Sequence, residues 1–376
     1  MHKTTFRDTP NAIDADFLAK EYLTLVDDSC VALLPHVVRI AVEFGLPELL
    51  AAGPTQAGDL AAIVGADPDS LYRLLRAMAS VSLVTESAPR RFELSEAGRR
   101  LLPDSPETAV ESVTNLDPHL TWLNAGEVFR TGRPAPAARR PDGTERDFFG
   151  HKNEDAAADR SFLRRMRDHA ARCYGDLVSE VDWSRSGTVL DIGGGDGFVL
   201  EQILRHAPHL TGMLFDRPPV IAAVRDDDRH RDDDQHLDPV ADRYRLFGGD
   251  FFEKLPVGAD THLLCSVLHN WSDERAGTLL ARSRESLDPG GRLLIVEMLV
   301  PPGDEWHPSK WSDLGMMVQT GGRERTQDEY TDLLARGGYT VTSIRAIGGS
   351  YFSLIEAEAD ADADANAEPE AEPTPL

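Results

Sequence analysis

The spacing of hydrophobic and polar residues changes once along the chain. In residues 36–53 the hydrophobic positions recur at the spacing of an α-helix. From residue 186 onward, short apolar runs of strand length alternate with segments of helical pattern. The first pattern predicts a helical N-terminal region, and the second predicts an α/β region. The helical positions of the first pattern are Val38, Ala41, Val42, Leu46, Leu49 and Leu50.

The N-terminal region, residues 12–105, is expected to form a winged helix. A short helix and a turn lead into a longer helix that begins at Asp67 and Pro68, a pair typical of helix starts. Two short strands around residues 87–91 would form the wing. Such a unit either binds DNA or packs against another protein chain. The longer helix carries only Arg73 and Arg76 as basic residues, so the sequence favours packing.

Residues 106–182 are predicted to be a mostly helical linker that also supplies helices of a substrate pocket. Within them, residues 130–153 are crowded with Pro and Gly and are interpreted as an exposed loop. The helix that follows presents one face, formed by Phe162, Met166, His169, Ala170, Cys173 and Leu177.

Residues 183–356 are predicted to form a Rossmann-like, doubly wound α/β sheet. Two segments have almost no apolar residues to bury, so we expect them to be disordered. They are residues 225–238, which include seven aspartates, and the acidic tail at 357–376. The expected strands lie at residues 188–193, 211–216, 244–250, 259–268, 291–299, 339–347 and 351–358.

Composition removes several classes of function. The 376-residue chain, long enough for two domains, has 39 basic and 64 acidic residues and a formal net charge of −25. That charge repels phosphate backbones and anionic lipids, so neither nucleic acid nor a membrane is an expected partner. No apolar run approaches a membrane span, and residues 1–17 show no signal-peptide core. The 3 scattered cysteines are expected to be reduced thiols of a cytoplasmic protein.

The glycine-rich turn in "VLDIGGGDGFVL" is the strongest functional signal. Gly193, Gly195 and Gly197 follow Asp191, which ends the first expected strand. Glycine lets the backbone approach a ligand closely, because no Cβ intervenes. The G-x-G-x-G spacing differs from the G-x-G-x-x-G of dinucleotide-binding turns. A carboxylate at this place suits a cation better than a pyrophosphate, which favours S-adenosylmethionine, a ligand with an ammonium, a sulfonium and no phosphate.

Acidic residues end the next two strands as well. Asp216 suits ribose hydroxyls, and Asp250 suits an adenine amino group with Phe251 packed against the ring. Each acid could instead cap the helix that follows it. Three acids after three successive strands, together with the glycine turn, favour a cofactor site.

A candidate general base follows the fourth strand at the same edge of the sheet. His269 has the side chain best suited to accept a proton near neutral pH, with an ordinary pKa of about 6.5. It could also be a structural residue at a strand end. Glu297 and Glu324 could bond the ring and fix its tautomer, although each alone is more typical of a salt bridge.

These motifs together resemble a known enzyme family. They are similar to those of the class I S-adenosylmethionine-dependent small-molecule O-methyltransferases, in the bacterial branch that tailors aromatic polyketides and other antibiotics and in the plant caffeic acid branch. The resemblance covers residues 14–356. It implies an N-terminal winged helix that forms a homodimer, a methyltransferase sheet, an aromatic acceptor, S-adenosyl-L-homocysteine as product, and no metal. The motifs are "VLDIGGGDG", "FDRPPV", "GGDFFEKLP", "LHNWSDE", "LDPGGRLLIVE" and "GGRERTQDEY".

The resemblance also implies roles for single residues. His269 would be the general base, supported by Glu297 and Glu324. The cofactor would be bound by Asp191, Gly193, Gly195, Asp216, Arg217, Gly249, Asp250, Phe251 and Ser266. The acceptor pocket would draw on Trp122, Phe162, Met166, Asn270, Asp313 and Met317, of which the first three could equally be core residues.

Two positions depart from the family pattern. Cys265 stands where the plant branch has lysine, and Asn270 stands where many relatives have aspartate. Some antibiotic-pathway relatives lack the histidine, and one is a hydroxylase that retains the cofactor, so His269 favours ordinary methylation. The alternatives left open are methylation of nitrogen, carbon or a carboxylate, a cofactor-retaining hydroxylase or decarboxylase, and a winged-helix regulator whose α/β half senses a ligand.

Overall fold

The computed structural model describes residues 30–105, 108–114, 121–123, 125–139, 145–232 and 240–360. The chain divides into two compact units, residues 1–119 and 120–376. The helices from residue 120 onward belong to the same compact unit as the C-terminal sheet.

The first unit combines short helices with a small sheet whose strands pair in the order β1-β3-β2. The Asp67 carboxylate caps helix α4 by accepting a hydrogen bond from the Ser70 N–H at 2.8 Å, which confirms the expected helix start. Strands β2 and β3 confirm the expected wing. The elements are α1 (Cys30–Glu43), α2 (Leu46–Ala51), β1 (Thr55–Gln56), α3 (Ala57–Val64), α4 (Pro68–Ser80), β2 (Val84–Ala88), β3 (Arg91–Leu94) and α5 (Val110–Thr114).

Both arginines of helix α4 contact residues of their own helix. Arg73 pairs with Asp69 at 2.9 Å. The guanidinium of Arg76 lies 5.5 Å from the centroid of the Tyr72 ring.

The second unit is built on a seven-stranded sheet, and all seven expected strands are present. The fold class, a doubly wound α/β sheet, is confirmed. Its elements are α6 (Ala125–Thr131), β4 (Ala138–Arg139), β5 (Glu145–Arg146), α7 (Phe148–Glu154), α8 (Ala156–Cys173), α9 (Leu177–Glu180), β6 (Thr188–Ile192), α10 (Phe198–His206), β7 (Thr211–Asp216), α11 (Pro218–Asp232), β8 (Tyr244–Gly248), β9 (Ala259–Cys265), α12 (Asp273–Ser286), β10 (Leu287–Met298), α13 (Pro308–Gln319), α14 (Gln327–Arg336), β11 (Tyr339–Ala346) and β12 (Phe352–Ala359).

The strand order of the large sheet, β11-β12-β10-β9-β6-β7-β8, reverses beside β6. The chain runs outward from β6 to β8 and then returns to β9 on the other side of β6, with all these neighbours parallel. Strand β12 pairs antiparallel with both β10 and β11. Ligands of α/β sheets bind beyond the carboxyl ends of the strands where the order reverses. The topology therefore positions a site at the ends of β6 and β9, directly beside the glycine turn.

Two segments that were expected to lack regular structure are helical instead. Residues 148–153 belong to α7, because Asp147 caps the helix at the Gly150 N–H (2.7 Å) and Phe148 is buried. Helix α11 continues into the aspartate-rich run as far as Asp232. Its first turns bury apolar side chains and anchor the acidic turns that follow. Residues 233–238 of that run lie outside the described residues.

Strand β12 extends to Ala359, beyond the expected end of the domain at 356, because it pairs with a strand on each side. Residues 361–376 of the predicted acidic tail lie outside the described residues. Of the helices that the structure describes, none has both the length and the apolar character needed to cross a membrane.

Candidate active site

The glycine turn after β6 has a backbone conformation that requires glycine. Gly193, Gly195 and Gly197 have φ angles of 73°, 61° and 82°, in the left-handed region that other residues rarely adopt. Gly194 is required for space, because a Cβ there would lie 2.5 Å from the Asp191 carboxylate. Because its glycines carry no side chains, the turn can be approached closely by a ligand.

Asp191 ends β6 as a buried carboxylate. Its side chain is 1% exposed, and neither oxygen accepts a hydrogen bond from a described residue. Burial, followed by the charges of Asp216 and Asp196, raises the pKa of Asp191 to about 7. A buried carboxyl group without a partner is costly unless a ligand supplies donors or positive charge. The ammonium of S-adenosylmethionine meets that need, so the residues present fit this cofactor.

Asp216, at the end of β7, and Asp250, in the loop after β8, make different hydrogen bonds. The Asp216 carboxylate accepts the N–H groups of Gly195 at 2.8 Å and Arg217 at 2.7 Å. Burial raises its pKa against the lowering effect of Arg217. A carboxylate can accept about four hydrogen bonds, so acceptor positions remain for a ribose diol. Asp250 is exposed and accepts the Phe252 N–H at 2.8 Å, a local turn bond of the capping kind weighed as the alternative.

Aromatic rings gather beside the loop after β8. The Phe251 ring meets Phe252 edge-on at 4.7 Å between centroids and lies 5.9 Å from Trp271. Trp271 in turn stacks on Phe149 of α7 at 5.3 Å. Gly249 allows Phe215 to pack close by, since a Cβ there would lie 2.9 Å from that ring. The sequence predicts Phe251 and Gly249 at the site, but it gives no signal for the stack on Phe149.

The loop after β9 holds Ser266 in a strained conformation. Its φ of 53° is unusual for a residue other than glycine. The Asn270 side chain donates to the Ser266 carbonyl at 3.1 Å, and the buried Tyr174 hydroxyl bonds the Ser266 hydroxyl. The amide of Asn270 is therefore engaged with its own loop. Beside Ser266, burial raises the pKa of the Cys265 thiol well above its ordinary value, so the thiol stays neutral.

His269, Glu297 and Glu324 form a compact buried cluster. The Nδ1 of His269 lies 2.9 Å from Glu324 Oε1 and 3.5 Å from Glu297 Oε2. Glu297 is fixed by the Leu268 N–H, which donates to its Oε1 at 2.9 Å. Because the Glu324 carboxylate accepts, we assign the proton of the bond to Nδ1 of the ring. The predicted trio is thus brought together with the carboxylates on one side of the imidazole.

The carboxylates make His269 a stronger base than free imidazole. Burial disfavours the imidazolium, but the charges of Glu297 and Glu324 outweigh burial and raise the pKa of His269 to about 9. Burial likewise raises the pKa of Glu297, although His269 lowers it. In the absence of ligands, the expected pKa of about 6.5 is therefore wrong for this ring, and the cluster holds a proton at neutral pH.

Two further residues, Asp313 and Ser312, hold Glu324 in place within the cluster. The sequence predicts Asp313 in the acceptor pocket and does not identify Ser312. Asp313, expected in the acceptor pocket, accepts the Glu324 N–H at 2.9 Å and so positions that carboxylate. The Ser312 hydroxyl donates to Glu324 Oε1 at 2.6 Å. A serine on a helix carries no chemical signal of its own, so the sequence could not identify Ser312.

The other residues expected in the acceptor pocket are placed unevenly. Phe162 on α8 meets Phe148 edge-on at 5.4 Å. Met166 on the same helix is half-buried. Met317 packs against a small apolar cluster that α6 shares with α13. Trp122 is 40% exposed, so the structure does not bury it.

The cluster also has a donor set that could hold a divalent cation. An imidazole nitrogen and two carboxylate oxygens lie within 4.8 Å of one another, a combination known from zinc sites. Two of these residues are already hydrogen-bonded through Glu324 Oε1 and Glu297 Oε1. We expect turnover to be unchanged after dialysis against EDTA, with the chelator removed before assay. Loss of turnover that added Zn²⁺ or Mg²⁺ restores would contradict this expectation.

Comparisons with known proteins agree along almost the whole chain. Residues 122–340 match a family described as an O-methyltransferase domain, and residues 29–104 match an O-methyltransferase dimerisation domain. The O-demethylpuromycin-O-methyltransferase of Streptomyces alboniger is 36% identical over 334 residues, which cover 86% of this chain and 85% of that protein. The aclacinomycin 10-hydroxylase RdmB of Streptomyces purpurascens is 34% identical over 359 residues, which cover 92% and 91%.

A solved structure adds a ligand-bound relative. NcsB1, an O-methyltransferase of neocarzinostatin biosynthesis in complex with S-adenosylmethionine and 2-hydroxy-5-methyl naphthoic acid, is 30% identical. It superposes with a TM-score of 0.73, covering 87% of this chain and 96% of that chain.

Proposed function

The chain belongs to the S-adenosylmethionine-dependent O-methyltransferases, and on that premise we propose that it methylates a phenolic or enolic hydroxyl of an aromatic natural product, with His269 as general base. Two relatives support the acceptor class. The name of one refers to O-demethylpuromycin, and another was crystallised with a hydroxylated naphthoic acid. Both relatives support an acceptor that belongs to antibiotic or other secondary metabolism.

The hydrogen bond between His269 and Glu324 carries the proposal of a general base. At 2.9 Å, it fixes both the orientation and the tautomer of the ring, so that Nε2 is the nitrogen available to an acceptor. The base is held at the carboxyl end of β9, beside the strands whose loops would bind the cofactor. Geometry of this kind is the first requirement for proton abstraction.

When bound, S-adenosylmethionine supplies an electrophilic methyl group on a positively charged sulfur. Asp191 would hold the ammonium, Asp216 the ribose hydroxyls, and Asp250 with Phe251 the adenine. His269 would accept the hydroxyl proton at Nε2 while the acceptor oxygen forms its new bond to the methyl carbon, the carbon–sulfur bond breaks, and S-adenosyl-L-homocysteine leaves. Glu324 and Glu297 then stabilise the imidazolium, whose positive charge is greatest after the proton has moved.

The raised pKa of His269 suits this task. A phenol has a pKa of about 10, and proton transfer is efficient when base and acid are nearly matched. The pKa of about 9 brings the imidazole close to the phenol. As a consequence, His269 is neutral in only a small fraction of the free enzyme at pH 7.

This small neutral fraction predicts that the reaction rate depends steeply on pH. Because His269 must lose its proton before it can act, kcat/KM should rise as pH rises and level off only above about pH 9. Glu324→Gln removes one carboxylate, so the apparent pKa should fall by about one unit or more. Glu285→Gln, which alters an exposed carboxylate paired with Arg282, is the matched control and should leave the profile unchanged. The measurement is kcat/KM from pH 6 to 10 with a phenol that the wild type methylates.

A flat profile over this range would contradict a histidine base. It would mean that another group, or no group, removes the proton of the phenol. The hydroxylase among the relatives makes oxygenation the second candidate. The mass of the product separates the two, since methylation adds CH₂ and hydroxylation adds one oxygen.

The N-terminal unit is proposed to form a homodimer. Its match to an O-methyltransferase dimerisation domain supports this, and so do its exposed apolar side chains. Leu33, Phe44, Ile63 and Val81 are 56%, 40%, 63% and 42% exposed. Large apolar side chains of this kind are suited to the buried centre of an interface.

A further inference from the structure

Helix α8 contacts the loops that follow two central strands through one stripe of side chains. Asp159, Leu163 and Arg167 are spaced four residues apart and so share a helix face. Asp159 pairs with Arg217, after β7, at 2.6 Å. Leu163 lies over the glycine turn after β6, where its Cδ2 would be 3.6 Å from a Cβ at Gly195.

Arg167 makes the most specific contact of this stripe. Its Nη1 donates to Asp196 Oδ2 at 2.7 Å, and its guanidinium lies 4.9 Å from the centroid of the Phe198 ring. The other Asp196 oxygen accepts the Phe198 N–H at 3.2 Å. One arginine of α8 thus binds both the glycine turn and the start of the helix that follows it. Asp196, the acidic residue inside the turn, has no role in the proposed chemistry. Through this pair it joins the turn to α8.

The Arg167–Asp196 pair is less exposed to solvent than an ordinary surface ion pair. The side chains of Arg167 and Asp196 are 34% and 26% exposed. Arg185 and Glu358 form a similarly short pair at 2.6 Å in the same unit, but they are 53% and 48% exposed and join β12 to the start of β6. Exposed pairs contribute little because solvent screens them.

The adjoining stripe of α8 carries residues of the expected acceptor pocket. Phe162 and Met166 each precede a turn-contacting residue by one position, and His169 continues their line. Phe162 packs on Phe148, and His169 lies 5.4 Å from Phe352, measured between ring centroids. A rigid helix cannot move one stripe without moving the other. Displacement of α8 from the turn would therefore displace the pocket residues.

We propose that α8 couples cofactor binding to assembly of the acceptor pocket, with Arg167 as the positioning residue that joins the helix to the turn through Asp196. Occupancy of the turn orders the loop that Arg167 holds, and the ordered helix presents Phe162 and Met166. The coupling is reciprocal by linkage, so loss of the pair weakens ligand binding on the turn. This inference rests on the proposed function for the identity of the ligand.

The test compares Arg167→Gln, Asp196→Asn and the double variant, with Arg185→Gln as matched control. S-adenosyl-L-homocysteine is the probe, and calorimetry gives its Kd. Each single substitution should raise Kd by about 3- to 10-fold, a modest value because the pair is partly exposed. The double variant should lose no more than either single one, since both remove the same contact. The control should bind as the wild type does.

Hydrogen exchange supplies a readout that does not depend on turnover. The probe should slow amide exchange across 156–173 in the wild type and in Arg185→Gln. In the Arg167 and Asp196 variants it should still protect 188–200 but should protect 156–173 less than in the wild type. Additive effects on Kd, or α8 protection equal to that of the wild type, would overturn the coupling. Failure of the wild type itself to bind the probe would instead contradict the proposed function.

Discussion

His269→Ala should reduce kcat by roughly 10²- to 10⁴-fold, the usual contribution of a general base. The side chain is 12% exposed and is held by Glu324 at 2.9 Å, so its loss removes an oriented base rather than a loose surface group. The expected deficit is confined to the chemical step, because the residues proposed to bind the cofactor do not include His269. The Kd for S-adenosyl-L-homocysteine should therefore stay within about twofold of the wild-type value.

The controls separate loss of the base from damage to the fold. His269→Gln keeps most of the volume of the ring and should lose as much kcat as the alanine variant. His206→Ala, on the exposed side of α10, should keep full activity. Wild-type turnover by His269→Ala across neutral pH would show that another group, or no group, removes the proton.

Asp191→Asn should have two effects of opposite sign. The Kd for S-adenosyl-L-homocysteine should rise by roughly 10²-fold or more, because a buried charge partner of the ligand ammonium is lost. The unliganded protein should become more stable, since asparagine is not ionised. No described residue bonds either Asp191 oxygen, so the substitution breaks no internal hydrogen bond among the described residues.

The pH dependence of the stability effect follows from the direction of the pKa shift. The folded-state pKa of Asp191 is raised to about 7, while the unfolded value is about 3.9. The folded state thus binds the proton more tightly, and stability falls as pH rises from about 4 through 7. At pH 8 the substitution should gain up to about 4 kcal/mol, and at pH 4 almost nothing. Melting temperatures at both pH values measure this, with Asp242→Asn on the exposed surface as control.

A lower melting temperature for Asp191→Asn at pH 8, or unchanged affinity for the probe, would contradict this role. The first result would mean that the carboxylate has a stabilising partner. The second would mean that the ammonium is bound elsewhere.

The parts of the fold that were predictable from sequence share a strong local signal. The alternation of apolar runs and helical patterns from residue 186 onward predicted the seven strands, because each buried strand is a short apolar run bounded by turn residues. The Asp67-Pro68 pair marked a helix start through its capping chemistry. Helix α7 was missed because its apolar residues, Phe148 among them, are buried only by tertiary contacts. The acidic end of α11 was missed because a helix anchored upstream can continue into a segment that has no apolar face.

The candidate site was likewise predictable only where the sequence carries a local signal. Asp191, His269 and the two glutamates were candidates from the sequence because each is a titratable group at a strand end or within a family motif. Their energetics were not, since the pKa of His269 depends on two carboxylates brought together from distant positions in the chain. The Arg167–Asp196 pair was not predicted either. Its partners are 29 positions apart, and nothing in an arginine-rich helix distinguishes the one residue that reaches the turn.

The central claim is that a methyl donor with a charged sulfur lies on the glycine turn and faces His269. The most direct measurement is the pKa of His269 by NMR of ¹³C-labelled histidine, in complexes with S-adenosylmethionine and with S-adenosyl-L-homocysteine. The His269→Gln variant assigns the signal. The two ligands differ at the sulfur by one positive charge, which disfavours the imidazolium when it is close. The account predicts a pKa lower by about half a unit or more with the sulfonium ligand, and equal values in the two complexes would contradict it.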